Sequence, residues 1–135
     1  GLSTDRPLVI LSGNSVAHAL MALGAQYVGV PSAAIAPAYS LVSTDHGKLK
    51  GVRDQITPGA VFVDEFAPFE PAIANVFPEL TIIAKTGNEW SWSSLVNTPV
   101  TDAVDVANAA VTPDTVAKFL FTSGTTGSPK AVIQT

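Results

Sequence analysis

Apolar positions along the chain fall into two rhythms, short continuous runs and runs spaced three or four apart. Leu8-Val9-Ile10-Leu11 is an unbroken aliphatic run, the pattern of a strand covered on both faces. Ser12-Gly13-Asn14-Ser15 follows as a turn with good helix-capping residues. Val16, Leu20, Leu23 and Tyr27 then recur at helical spacing and predict the inward stripe of a helix that Gly29 ends. Val30 to Ile35 predicts a second strand, and Pro31 and Pro37 make it an irregular or edge element. Ser43-Thr44-Asp45 caps a further helix whose stripe is Leu49, Val52 and Ile56 and whose stop is Pro58-Gly59. Ala60 to Val63 and Thr81 to Ala84 read as strands, with a short helix from Pro71 to Phe77 between them.

Thr86 to Asn108 is the least regular stretch, and its two tryptophans, Trp90 and Trp92, read as packing anchors rather than a ligand cage. Thr112-Pro113-Asp114 predicts a helix start. Lys118 to Thr122 and Ala131 to Ile133 are strand-like and flank a polar loop, so the segment from 119 to 133 is expected to fold as an antiparallel pair. Alternation of strand and helix predicts an α/β layer structure with a mainly parallel sheet and right-handed crossovers.

Composition narrows the class. At 135 residues the chain has the length of one domain, and 47% hydrophobic with 13% charged content excludes a disordered chain. The net charge of −4 and only seven basic residues, spread along the chain, argue against a nucleic-acid partner. Cysteine is absent, which excludes disulfides, thiolate zinc sites and cysteine nucleophiles and fits a reducing compartment. No run is long enough for a transmembrane segment. The first residues lack both an initiator Met and a signal-peptide core, and the last three read as mid-strand, so a piece of a longer protein is expected.

The chemistry-bearing segment is Thr122-Ser123-Gly124-Thr125-Thr126-Gly127-Ser128-Pro129-Lys130, which holds five hydroxyls, two glycines and one lysine. Glycines let backbone N–H groups turn toward an anion, hydroxyls donate to phosphate oxygens, and the lysine adds a compact positive charge. The combination is a polyphosphate cradle. It is not the P-loop of many nucleotide triphosphatases: Pro129 stands where that motif needs its second Gly, Ala131 where it needs Ser or Thr, and the sequence after it is strand-like. The bland alternative is a flexible Ser/Thr/Gly hairpin loop.

This segment resembles the ATP-binding signature of the adenylate-forming (AMP-binding) superfamily, usually written Thr-Ser-Gly-Ser/Thr-Thr-Gly-x-Pro-Lys-Gly, with Ala131 in place of the last Gly. The upstream chain is similar to the N-terminal part of these enzymes. Leu8 to Ser15, Ala17 to Pro31, Pro37-Ala38-Tyr39-Ser40 and Thr57-Pro58-Gly59 look most like feruloyl-CoA synthetases, a group of acyl-CoA synthetases. The resemblance implies a Rossmann-like, mainly parallel sheet with flanking helices, part of the large N-terminal domain, with residues 1–135 ending just after the phosphate-binding loop. It implies a cytoplasmic acid–thiol ligase that uses ATP, Mg2+ and coenzyme A. A carboxylic acid such as ferulate would first become an acyl-adenylate and then a CoA thioester. By the same resemblance Thr122, Ser123, Gly124, Thr125, Thr126, Gly127 and Lys130 hold the β- and γ-phosphates. The catalytic lysine, the hinge and the adenine, ribose and magnesium residues of the family lie beyond residue 135, so no catalytic or metal-binding residue is expected here.

Other features read as structural. Ser12 to Ser15 lacks the dinucleotide-binding glycine pattern. His18 reads as a half-exposed helix residue and His46 as solvated, without metal-ligand spacing. Asp45, Asp54 and Asp64 are scattered. A nucleoside triphosphatase or kinase, an ATP-binding module without ligase chemistry, and an adenylating enzyme that stops before CoA ligation are the competing classes.

Overall fold

A computed structural model of the protein describes residues 1–87, 90–122 and 127–135, with Trp90 and Ser91 described as backbone only. The elements run β1 (Leu8–Ile10), α1 (Val16–Tyr27), β2 (Ser32–Ala34), α2 (Ala38–Leu41), α3 (Gly47–Ile56), β3 (Ala60–Glu65), α4 (Phe66–Val76), β4 (Thr81–Thr86), β5 (Trp90–Ser91), α5 (Trp92–Val96), α6 (Asp102–Ala109), β6 (Lys118–Thr122) and β7 (Lys130–Gln134). The strands form one sheet in the order β5-β4-β3-β1-β2-β6-β7. Every neighbouring pair is parallel except β6 and β7, which run antiparallel. This is the mainly parallel α/β architecture expected from the alternation of runs, closed by the expected antiparallel pair.

The first aliphatic run lies at the centre. β1 is bonded to β2 on one side and β3 on the other, and Leu8, Val9, Ile10 and Leu11 are fully buried. Such burial stabilises by roughly 1.5–3 kcal/mol per large aliphatic side chain. The two-residue period of the strands sorts these side chains between two cores. Val9, Leu11, Val61 and Val63 pack under α3 and α4, among Leu49, Val52, Phe69 and Ile73. Leu8, Ile10, Ala60 and Phe62 face α1, where Ala17 and Met21 meet them. Right-handed crossovers account for the sides: the chain leaves β1 in one direction through α1 and returns past β1 to β3 through α3, so the two helices lie on opposite faces.

Local chemistry sets the ends of the helices. Ser15 caps α1 by accepting the His18 N–H at 3.0 Å. At α3 the cap is shared: Ser43 Oγ accepts from His46 N and Asp45 Oδ1 from Gly47 N, both at 3.0 Å. The Leu49, Val52 and Ile56 stripe is buried as expected. The Gly47 amide, and next the Ser43 hydroxyl, hold the Asp45 carboxyl below its ordinary value.

Several expectations are corrected. α1 exists, but the Val16, Leu20, Leu23 and Tyr27 stripe points outward, each residue being more than half exposed. The inward face is Ala17, Met21, Ala22 and Ala25, small enough to let the helix lie close to the sheet. β2 is not an edge element; it lies between β1 and β6 because its prolines flank it rather than interrupt it, and Pro31 contributes the carbonyl that Leu8 N bonds at 2.9 Å. α4 begins at Phe66, five residues before the expected start, and keeps Pro71 inside. The burial of Phe69, Ala72, Ile73 and Val76 outweighs the one backbone bond that proline removes. Thr112-Pro113-Asp114 starts no helix. It forms a turn in which Thr115 N donates to Thr112 O at 3.0 Å, and the pairing of Lys118 with Gln134 claims the chain immediately afterwards. Within the stretch expected to be irregular, α5 and α6 form, and Trp92 packs on Phe62 with ring centroids 6.1 Å apart, an anchor as expected; the side chain of Trp90 lies outside the described residues. His46 is buried rather than solvated: a left-handed backbone (φ 53°) turns it toward α4, where Asn75 Nδ2 donates to its Nδ1 at 2.9 Å.

The two stripes give opposite expectations. Leu49→Ala, at a fully buried site, costs about 2–5 kcal/mol in urea unfolding. Leu20→Ala, at a site 51% exposed, changes stability by no more than about 0.5 kcal/mol. Asp45→Ala lowers Tm at neutral pH through the lost cap. A carboxyl with a depressed folded pKa contributes stability above its unfolded value and loses it as pH falls through the folded one. The Tm gap between Asp45→Ala and the parent therefore narrows below the ordinary carboxyl value of 3.8 and is read by melting both proteins across that range.

Candidate functional site

Parallel strands point their carboxyl ends to one edge of the sheet, which is where open α/β sheets bind ligands. The polar loop lies at that edge. It leaves the end of β6 at Thr122 and returns at Lys130, and these two residues are paired across the ladder. Thr122 and Lys130 are both exposed. Gly127 has φ 83°, a left-handed conformation that glycine adopts without strain. Of the expected phosphate-holding residues the structure therefore places Thr122, Gly127 and Lys130 at one hairpin mouth. Ser123, Gly124, Thr125 and Thr126 lie outside the described residues.

The hairpin mouth borders a cavity of about 540 Å³ lined by Tyr39, Val42, Ser43, Asp45 and Lys48 as well as Gly127. Lys48 Nζ stands 5.3 Å from the centre of the Tyr39 ring, a cation–π contact that holds a second ammonium beside the loop. The returning limb is held from α3. Gln55 donates from Nε2 to Pro129 O at 2.8 Å and accepts from Ala131 N at Oε1 at 3.2 Å. Neither Lys48 nor Gln55 stands out in the sequence. They lie 74 and 67 positions before Thr122, and only the packing of α3 against the sheet brings them to the loop.

The remaining candidates have structural partners. Ser15 Oγ, besides capping α1, donates to Asp64 Oδ1 at 3.0 Å, which ties the start of α1 to the end of β3. His18 Nδ1 lies 3.3 Å from Ser12 Oγ and 3.0 Å from Gly13 O, and the ring is half-buried as expected. Asp54 pairs with Arg53 at 3.0 Å on the surface. Asp45, Asp54 and Asp64 are thus committed to a helix cap, an ion pair and a serine. Among the described residues no three His, Cys, Asp or Glu side chains are grouped to hold a metal, and no helix is long and apolar enough to cross a membrane.

Known proteins share this fold. The luciferase-like enzyme from the nonluminescent mealworm Zophobas morio superposes with a TM-score of 0.75 at 20% identity, over 100% of this chain and 31% of that one. A long-chain-fatty-acid-CoA ligase from Archaeoglobus fulgidus gives a TM-score of 0.73 at 21% identity, over 98% of this chain and 25% of that one. A red emitting luciferase from Phrixothrix hirtus gives 0.71 at 23% identity, over 98% and 33%. This chain spans a third or less of the length of each. A search of curated proteins found no match. The family model described as AMP-binding enzyme matches residues 1–135. A family match along the whole sequence shows that the chain belongs to the AMP-binding enzyme family.

Proposed function

We propose that residues 1–135 are the N-terminal part of the adenylation domain of an ATP-dependent acid–CoA ligase, and that the loop from Thr122 to Lys130 holds the β- and γ-phosphates of ATP. The observation that carries this reading is the hairpin mouth itself, with Lys130 opposite Thr122 and Gly127 in a left-handed turn between them. Family membership and the likeness to a CoA ligase support it.

On this reading a substrate carboxylate oxygen attacks the α-phosphorus of ATP. The bond from that phosphorus to the bridging oxygen breaks, and pyrophosphate leaves with the electron pair. The chain's part is electrostatic and positional. Lys130 offsets charge growing on the leaving pyrophosphate, while Thr122, Ser123, Gly124, Thr125, Thr126 and Gly127 orient it through hydroxyls and backbone N–H groups. Coenzyme A thiol then displaces AMP to give the thioester. Magnesium, when bound, supplies further charge neutralisation on the phosphates; the aspartates Asp45, Asp54 and Asp64 are engaged elsewhere, so none of them is assigned to it. The stretches similar to feruloyl-CoA synthetases support a hydroxycinnamate as the acid, and a cytoplasmic setting suits the ATP and CoA chemistry.

In the full-length enzyme, Lys130→Ala lowers kcat/KM for ATP on the order of 10- to 100-fold, because a charge-assisted contact is worth roughly 1.5–3 kcal/mol. Thr126→Ala, which removes a neutral hydroxyl worth about 0.5–1.5 kcal/mol, costs less. Pyrophosphate release at varied ATP measures both, with circular dichroism to confirm folding. Unchanged ATP kinetics in a folded Lys130→Ala enzyme removes that residue from the site. Supplying ferulate and a long-chain fatty acid separately in ATP–pyrophosphate exchange tests the acid, and exchange with the fatty acid alone rejects the hydroxycinnamate.

A further inference from the structure

Gln55 stands in the last turn of α3 and is exposed at its surface, yet all of its hydrogen-bonding groups except one acceptor lone pair are engaged by backbone. One N–H of its amide donates to Gly51 O of its own helix at 3.0 Å and the other to Pro129 O at 2.8 Å, while Oε1 accepts from Ala131 N at 3.2 Å. The two contacts to the hairpin settle which way round the amide stands, since a carbonyl requires the NH2 group and an N–H requires the oxygen.

Residues 129 and 131 lie on either side of Lys130 and direct their bonded groups to the same edge of β7. β7 is the terminal strand of the sheet, and a terminal strand otherwise offers bare N–H and C=O groups to solvent. The side chain of Gln55 does at this point what a further strand would do. On its inner edge β7 is held by β6, where Lys130 is paired with Thr122. The backbone at Lys130 is therefore gripped from both sides at the mouth of the loop, while its own side chain is left exposed. The outer grip is anchored in the core, because α3 is seated on the sheet through Leu49, Val52 and Ile56.

We propose that Gln55 is a positioning residue for Lys130: by bonding the backbone on both sides of it, Gln55 sets the direction in which the ammonium meets the polyphosphate of ATP. This rests on the reading of the loop as a phosphate site. A purely structural clamp would alter stability and leave the handling of ATP alone; a positioning clamp acts through Lys130 and has nothing to act on once that lysine is gone.

The test is a double-mutant cycle in the full-length enzyme, with KM and kcat for ATP and Tm measured for the parent, Gln55→Ala, Lys130→Ala and the double variant. Gln55→Glu is the second single variant: it keeps an acceptor for Ala131 N but turns a carboxylate oxygen toward Pro129 O. The expected result is a rise in KM for ATP of about threefold to tenfold in Gln55→Ala, a part of what two neutral hydrogen bonds are worth because Lys130 keeps its pairing with Thr122, a larger rise in Gln55→Glu, and little further change when Gln55→Ala is added to Lys130→Ala. An unchanged KM in folded Gln55→Ala, or the same factor in both backgrounds, overturns the positioning role while the phosphate loop stands. Unchanged ATP kinetics in a folded Lys130→Ala enzyme removes Lys130 from the phosphate site, and the positioning role falls with it.

Discussion

The structure depends on one strand being enclosed from every direction. β1 is bonded along both edges, to β2 and to β3, and its residues together with Leu11 expose no surface at all. A strand in that position needs a helix on each face, and parallel neighbours need a crossover to reach them. The placement of α1 on one side and α3 with α4 on the other follows from those two needs. So does the collection of the polar turns at a single edge, since parallel strands deliver all their carboxyl ends together.

The hairpin of β6 and β7 departs from that parallel scheme. An antiparallel pair can be joined by a short loop, whereas a parallel pair needs a crossover of a dozen residues or more. A tight polar loop with both ends fixed is thereby possible only where the sheet changes direction, and the Thr122 to Lys130 segment occupies that place. Its fixing is cooperative across distant parts of the chain. The ladder holds one edge of β7, a glutamine from α3 holds the other, and Lys48 of the same helix stands over Tyr39 beside the loop. α3 therefore serves the core with one face and the site with its ends.

The second face of the sheet is covered more thinly. α1 meets it through alanines and Met21, and Trp92 adds its ring against Phe62. The larger side chains of α1 face outward, and α6 joins this side through a hydrogen bond from Asn108 Nδ2 to Tyr27 O at 2.8 Å.

What the amino-acid sequence determined by itself was local. Continuous aliphatic runs marked β1, β3 and β4, Ser15 and the Ser43–Asp45 group marked two helix starts, and the nine residues from Thr122 carried a phosphate-loop chemistry that no packing was needed to read. Tertiary structure decided what local rules leave degenerate. α1 is apolar nearly all round, so its periodicity fits two stripes equally well, and the sheet selected the one with small side chains because it allows closer approach. Pro71 should stop a helix, but four buried side chains outweighed one missing hydrogen bond. Thr112 to Asp114 had the residues of a helix start, and the ladder between Lys118 and Gln134 took the chain first. The grip of Gln55 on Pro129 and Ala131 joins positions more than 70 residues apart. A hydrogen bond of that span has no local pattern to announce it, because it exists only once α3 has been pressed against the sheet by the burial of Leu49, Val52 and Ile56.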